Sequence, residues 1–200
     1  ELHVPVVVDA DVAGQVELAA AAARGWRELV FNRSFVDRLP DIGLVDAAAV
    51  RRLGTVGPAA RAAGVAVDAR THAPALAYDG FAAVVPERSL GDVQARFEQR
   101  ELELRQSLAI LDGLLTRPVV PAVLGDRGDG QEVGVGVVES PRGRTVCIVE
   151  ARDATIERLR LRTGSYANWP SVAFAAADNM LPDFPLINKS FELCYACVDR

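Results

Sequence analysis

Ser89-Leu90-Gly91-Asp92-Val93-Gln94-Ala95-Arg96-Phe97-Glu98-Gln99-Arg100-Glu101-Leu102-Glu103-Leu104-Arg105-Gln106-Ser107-Leu108-Ala109-Ile110-Leu111-Asp112-Gly113-Leu114-Leu115-Thr116 is the most regular stretch of the chain, and its reading decides the fold. Val93, Phe97, Leu104, Leu108, Leu111 and Leu115 follow one another by threes, fours and a seven, the period of a helix with one apolar face. The spacing predicts one long amphipathic helix over Ser89 to Thr116. Arg96, Glu98, Arg100, Glu101, Glu103 and Arg105 lie on its other faces and are expected to form a solvated surface, opposite charges meeting in neighbouring turns.

Outward from this helix, Pro118 to Gly130 breaks the pattern with two prolines and three glycines. Gln131 to Glu139 then sets valines at 133, 135 and 137, and Thr145 to Glu150 and Ile156 to Arg162 repeat the β-branched character. Pro141-Arg142-Gly143 and Arg152-Asp153-Ala154 read as turns between them, giving a three-stranded antiparallel sheet. Before the long helix, a Val6 to Val8 run precedes an Ala, Leu and Glu-rich helix over Ala13 to Val30. Asn32 to Phe35 interrupts it, Asp46 caps a short helix through Leu53, and Gly54, Gly57-Pro58 and Gly64 punctuate the next stretch. After Tyr166 a helix is expected around Ser171 to Met180, then a proline-marked segment. The class is α+β and helix-dominated, a helical bundle with a small sheet. Without repeat, low-complexity segment or linker, residues 1–200 read as a single domain.

Half of the 200 residues are hydrophobic, enough for a substantial core and against disorder. The net charge of −5, from 27 acidic and 22 basic residues mixed along the chain, excludes a phosphate-backbone binder, so no nucleic-acid partner is expected. No run reaches the roughly 20 apolar residues that cross a bilayer, and Glu1 to Pro5 lacks signal-peptide order. Three cysteines make no disulfide framework and suit a reducing cytoplasm.

Cys194-x-x-Cys197 can aim two thiols at one soft metal ion, nickel, iron, zinc or copper(I). A closed zinc site needs four ligands, and Cys147, His3 and His72 stand at no recognised spacing to supply the rest. A redox dithiol would sit at a helix N-terminus inside a βαβ unit. Buried cysteines acting as small apolar side chains also satisfy the pattern. On residues alone, Arg142 is a turn arginine, Ser165 a turn or cap serine, Asp68 and Arg70 a surface pair of little worth, and His72 a loop histidine.

The residues around the cysteines say more. Ser190-Phe191-Glu192-Leu193-Cys194-Tyr195-Ala196-Cys197-Val198-Asp199-Arg200 resembles the C-terminal signature of nickel-iron hydrogenase large subunits, most of all the energy-converting, formate hydrogenlyase-like class. Glu139-Ser140-Pro141-Arg142-Gly143 looks like that family's Glu-Ala-Pro-Arg-Gly. Arg160 to Asn168 looks like its Arg-x-Arg-x-Pro-Ser-Phe-x-Asn. Gly57-Pro58-x-Ala60-Arg61-Ala62-x-Gly64 with Asp68, Arg70, Pro74 and Tyr78, and Arg105-Gln106-Ser107-Leu108, resemble signatures shared with the quinone-site subunit of respiratory complex I. The likeness runs from about Asn32 to Arg200.

The resemblance implies a nickel-iron centre whose iron carries cyanide and carbon monoxide, and reversible reduction of protons to hydrogen. It implies that Cys194 is a terminal thiolate on nickel and Cys197 a bridging one. Arg142 would lie above the open metal position, Ser165 would donate to an iron-bound cyanide, and Glu192 would be the acidic group preceding the cysteines. An iron-sulphur small subunit, membrane subunits of a complex I-like assembly and a maturation protease cutting after Arg200 are the implied partners. The implied location is cytoplasmic, peripheral on the inner face of the cell membrane through those partners. The family's other cysteine pair, from Arg-x-Cys-Gly-x-Cys, and its proton-transfer glutamate have no counterpart here, so the chain holds half of the ligands and reads as the C-terminal portion of a longer subunit. Gly164 replaces the usual proline, which should loosen the backbone. A quinone-site subunit, a non-catalytic scaffold bridging an iron-sulphur protein to a membrane arm, and a small zinc module are the alternatives. An apolar face is expected where further helices would pack.

Overall fold

The computed structural model describes residues 32–72, 78, 81–115, 131–153 and 155–198, preceded by 14, 17–21, 24–26 and 28. The Val6 to Val8 run, the Pro118 to Gly130 break, His3, Pro74, Asp199 and Arg200 lie outside the described residues, as does part of the expected Ala13 to Val30 helix, whose described residues are helical. The elements in order are α1 (Arg33–Val36), α2 (Ala47–Leu53), α3 (Pro58–Arg61), α4 (Ala69–His72), α5 (Val93–Leu115), β1 (Gln131–Ser140), β2 (Gly143–Arg152), β3 (Thr155–Arg162), α6 (Gly164–Ala176), a 3-10 turn (Leu181–Asp183) and α7 (Phe184–Phe191). The expected α+β class stands, with a three-stranded antiparallel sheet in the order β1-β2-β3.

Local chemistry sets the helix ends. Asp46 Oδ1 accepts the Ala49 amide at 2.7 Å, and Gly54 closes α2 in the left-handed region at φ 68°. Asp92 does the same for α5, accepting the Ala95 amide at 2.7 Å while its other oxygen ties down the Asp41 amide at 3.1 Å. Asn32 is extended, as the expected interruption requires, and starts a short new helix by accepting the Phe35 amide with its side chain. The helix expected from Ser171 begins at Gly164 under a Thr163 cap and ends at Ala176, with Pro170 inside it rather than before it. Leu39, Val45, Val50, Ala60, Val93, Val172, Ile187 and Phe191 from α2, α3, α5, α6, α7 and their connections form the buried core.

Three expectations about charge fail, those for Arg96, Arg100 and Glu103. Arg96 of α5 is 1% exposed, not solvated. Its guanidinium donates to the Gly91 carbonyl (2.7 Å), the Gly43 carbonyl (2.9 Å) and Ser190 Oγ (2.9 Å), and lies 4.2 Å over the Phe191 ring. Burial lowers its pKa to about 9, which keeps it charged at neutral pH. Glu103 is drawn inward as well, by Arg61. The outer-face reading holds for Arg105, which pairs with Glu101 one turn away.

The sheet meets the helical body at its β1–β2 turn, where three glycines from distant parts of the chain converge. A Cβ on Gly57 would stand 2.4 Å from the Gly143 Cα, and one on Gly164 would stand 2.6 Å from the Arg142 carbonyl oxygen. Gly164 therefore permits close packing rather than loosening the chain; a proline, which has a Cβ, would strike the turn. Gly57 also holds φ 70°, ψ −152°, a region essentially reserved for glycine. Gly57→Ala should destabilise the subunit by about 3 kcal/mol or more, strain and collision adding. Gly54→Ala, with open space at its Cβ, should cost only about 1–2 kcal/mol. Denaturant midpoints of the two variants test the difference.

Candidate functional site

The hairpin turn is held from three sides, and what it presents is Arg142. The buried Asn168 of α6 accepts the Val56 amide through Oδ1 at 2.8 Å, while its Nδ2 donates to the Val56 carbonyl (3.0 Å) and the Arg142 carbonyl (3.2 Å). One amide side chain thus fastens the α2–α3 loop, the turn and α6 together. Behind the turn, Glu139 reaches into an ionic cluster around the fully buried Arg61. Arg61 bonds Glu103 at 2.6 Å through Nε, Glu139 at 2.9 Å and Asp68 at 3.0 Å through Nη1. Arg70 pairs with Asp68 at 2.8 Å, its guanidinium 4.2 Å over the Phe81 ring, and Ala69 donates its amide to Glu139 at 3.0 Å.

Asp68 is therefore no surface residue: it is 0% exposed. Burial opposes ionisation of Asp68, but the hydrogen bond from Arg70 and the charge of Arg61 outweigh it and lower its pKa. For Arg61 burial is likewise opposed and outweighed, by Glu103 and then Glu139. For Glu139 burial prevails and raises the pKa. His72 is no loop histidine but the last residue of α4, its Nδ1 lying 2.8 Å from the Asp68 carbonyl oxygen.

In front of the turn the chain leaves α7 at Glu192, whose φ of 55° reverses it into the cysteine segment. Arg142 Nε donates to the Glu192 carbonyl, joining turn and segment across 50 residues of sequence. Ser165 Oγ accepts the Cys194 amide at 3.0 Å, and Thr163 Oγ1 donates to the Cys197 carbonyl at 3.2 Å. The fold thus brings Arg142, Ser165, Cys194 and Cys197 together. Hydrogen bonding from Cys197, helped by the Arg142 charge, lowers the Cys194 pKa. Two vicinal thiols beside a guanidinium favour the thiolate form that binds soft metals.

Glu192 directs its carboxylate to Lys189 at 3.0 Å, and that contact first of all lowers its pKa. Arg100 of α5 is held next to it, its Nη1 on the Arg96 carbonyl at 3.0 Å; burial brings its pKa to about 10 against the pull of Glu192 and Glu103. Arg100, Asn168, Thr163 and the Arg61 cluster carry no site role in the sequence reading. Arg61, Asp68, Arg70, Glu139 and Asn168 do stand in the family-like motifs, and motif membership is the signal the sequence carries for them.

The donors fit half of a thiolate set. Among the described residues no group of three or more Cys, His, Asp or Glu side chains could hold a metal ion, so Cys194 and Cys197 would close such a site only with further ligands. Arg142→Ala should leave the fold intact but remove the clasp, costing about 1.5–3 kcal/mol, the worth of a hydrogen bond from a charged donor. Arg142→Lys, which cannot place a donor at the Nε position, should recover little. Hydrogen exchange at the amides of residues 193–198 should quicken in both.

The model of the family described as "Respiratory-chain NADH dehydrogenase, 49 Kd subunit" matches residues 7–123 and 128–200. The chain belongs to this family, which joins hydrogenase large subunits to a subunit of the NADH-quinone oxidoreductases. It is 32% identical over 191 residues to formate hydrogenlyase subunit 5 of Escherichia coli (strain K12), covering 92% of this chain and 34% of that protein. It is 31% identical to the carbon monoxide-induced hydrogenase of Rhodospirillum rubrum (84% of this chain, 48% of that one). It is 33% identical to an NADH-quinone oxidoreductase subunit of Salinispora arenicola (strain CNS-205), covering 84% and 46%. Among solved structures, a chain of the membrane-bound sulfane sulfur reductase, an archaeal respiratory membrane complex, superposes with a TM-score of 0.78 at 26% identity, over 93% of this chain and 54% of that one. The chain thus spans a third to a half of the relatives it matches. Among the described residues no helix is long and apolar enough to cross a membrane.

Proposed function

We propose that this chain is the C-terminal part of the catalytic subunit of a nickel-iron hydrogenase of the formate hydrogenlyase-like kind, the complete protein reducing protons reversibly to hydrogen. The observation that carries the reading is the Cys194 and Cys197 segment held by Arg142 through the Glu192 carbonyl, by Ser165 through the Cys194 amide and by Thr163 through the Cys197 carbonyl. A nickel-iron centre, when bound, supplies the Lewis acid that polarises hydrogen. Cys194 and Cys197 would hold it through their thiolates. Arg142 supplies a fixed positive charge to the thiolates. Ser165, whose oxygen accepts the Cys194 amide, keeps its hydroxyl hydrogen for an acceptor at the iron, the cyanide in this reading. Glu192 stays ionised through Lys189 and is the acidic group that precedes the cysteines.

The partners in this reading are an iron-sulphur small subunit, membrane subunits of a complex I-like assembly and a protease acting after Arg200, with the protein peripheral on the cytoplasmic face of the membrane. The similarity to NADH-quinone oxidoreductase subunits supports a second reading, a quinone-site subunit without metal. Nickel and iron analysis of the complete, co-matured subunit, with infrared detection of iron-bound cyanide and carbon monoxide, separates the two. Both metals in stoichiometric amount with the bands are expected; their absence from a matured preparation would sink the hydrogenase reading.

A further inference from the structure

α5 lies against the end of α7 and brings two arginines there, one helical turn apart. Arg96 donates Nε to Ser190 Oγ at 2.9 Å and lies 4.2 Å over the Phe191 ring, so it seats the last two residues of α7. Arg100, on the same face of α5, comes beside Glu192, the residue that turns the chain into the cysteine segment. It is mostly buried and fixed to its own helix, Nη1 donating to the Arg96 carbonyl at 3.0 Å. Arg142 reaches the same residue from the β1–β2 turn, through the Glu192 carbonyl. Two guanidiniums thus flank Glu192. Burial first, and the like charge of Arg142 with it, bring the Arg100 pKa to about 10, so both are charged at neutral pH.

Among the described residues neither Arg100 nor Arg142 has a carboxylate in ion-pair contact. Glu192 turns its own to Lys189 at 3.0 Å, and both oxygens of Glu103 are taken by Arg61 at 2.6 and 2.9 Å. A cation at a helix C-terminus can serve the helix alone. Here α7 already has Lys189 in its last turn, Arg96 against Phe191 and the Arg142 donor on the Glu192 carbonyl, so Arg100 is not needed for that. Two like charges drawn together out of water oppose each other unless negative charge meets them. The place left for that negative charge is the segment that Glu192 opens, with Cys194 and Cys197 on it.

We propose that Arg100 is a positioning residue of the cysteine site: acting by its charge through Glu192 and Arg142, it makes the surroundings of Cys194 and Cys197 electropositive, so that the site draws anions in preference to cations. Arg142 touches the segment; Arg100 stands behind it and adds to its field. The inference rests on the placing of the site at Cys194 and Cys197 in the reading above, and not on the metal.

The test compares two methanethiosulfonates, one bearing a sulfonate and one a trimethylammonium group, on the complete subunit before metal insertion. Mass spectrometry reads the rate at each cysteine. The anionic reagent should react faster at Cys194 and Cys197, and Arg100→Gln should lower the ratio of anionic to cationic rates by about threefold or more, the effect of one charge at close range. Arg100→Lys, which keeps the charge, should hold the ratio. A merely structural role would move both rates together and leave the ratio alone, and that result, or an unchanged ratio in Arg100→Gln, overturns the proposal. Should Arg100→Gln fold poorly, Arg100→Met removes the same charge. Where the thiols are closed to both reagents, the matured subunit gives the reading: iron-bound cyanide and carbon monoxide bands should move to lower wavenumber in Arg100→Gln and stay in Arg100→Lys. Closed thiols with no band moved by Arg100→Gln overturn the proposal too. Metal content, measured separately on the matured proteins, decides the hydrogenase reading and leaves the rate ratio untouched.

Discussion

Arg61→Met should destabilise the subunit by about 3–5 kcal/mol, the cost of removing one partner from a buried ion pair. At roughly 2–4 °C per kcal/mol for a chain of this size, the unfolding midpoint should fall by about 6–20 °C. The charges left behind set the size of the effect. Asp68 is fully buried and the side chains of Glu103 and Glu139 are 13% and 3% exposed, so two or three carboxylates would face one another with only Arg70 left to balance them. Methionine fills the volume of the lost side chain, which isolates charge from packing. Removing one of the carboxylates as well, as Arg61→Met with Glu139→Gln, should recover part of the loss, and a double-mutant cycle measures how much. Arg105→Ala on the outer face of α5, where the Glu101 pair is solvated, should cost about 0.5 kcal/mol or less.

The same cluster gives the acid side of the stability profile its sign. The folded-state pKa of Asp68 lies below its ordinary value of 3.8, so its contribution is present above that value and lost as pH falls through the folded pKa. Glu139 runs the other way: its raised pKa makes its contribution largest below its ordinary 4.5 and diminishes it as pH rises through the folded value. Replacing Asp68 by Asn should therefore flatten the acid loss, and Glu139→Gln should steepen it.

How much of this was legible depended on whether a signal is local. The period of α5, the Asp46 cap and the three strands are written within a few residues, and each stands where the sequence places it. Buried charge is not written locally. Arg96 occupies a polar position of a helical pattern, and pattern reading sends such positions to solvent; its actual partners are carbonyls of Gly43 and Gly91 and the hydroxyl of Ser190, 94 positions away. Arg61 and Asp68 escaped for the same reason, since the carboxylates that neutralise Arg61 come from α4's approach, α5 and β1. Gly57, Gly143 and Gly164 are each ordinary turn or cap glycines alone, and only their meeting explains why Gly164 stands where the resembling sequences carry proline. At the site, Cys194, Cys197, Arg142 and Ser165 are drawn together by the fold, while Thr163 and Asn168, which hold them there, act through backbone atoms that no residue-type argument reaches.

Cys194→Ser and Cys197→Ser should each abolish nickel and iron retention in the complete subunit, and hydrogen evolution with it. A serine hydroxyl is a hard, protonated donor at neutral pH where a thiolate is soft and anionic, so the substitution removes the property that binds the metal while changing little else. Both thiols are partly exposed, and neither belongs to the core around Ile187 and Phe191. Stability should accordingly change by about 1 kcal/mol or less in the metal-free state, within the range of surface changes. Cys147→Ser is the matched control: its residue lies within β2, opposite Gly136 and Leu161, and among the described residues it joins no metal-binding group. Full metal content in Cys147→Ser with none in the other two assigns the chemistry to the C-terminal pair. Equal, zero metal in all four proteins, the unsubstituted one included, would instead leave the pair as thiols in a quinone-site subunit, where the contacts of Arg142, Ser165 and Thr163 with the segment would only shape the loop after α7.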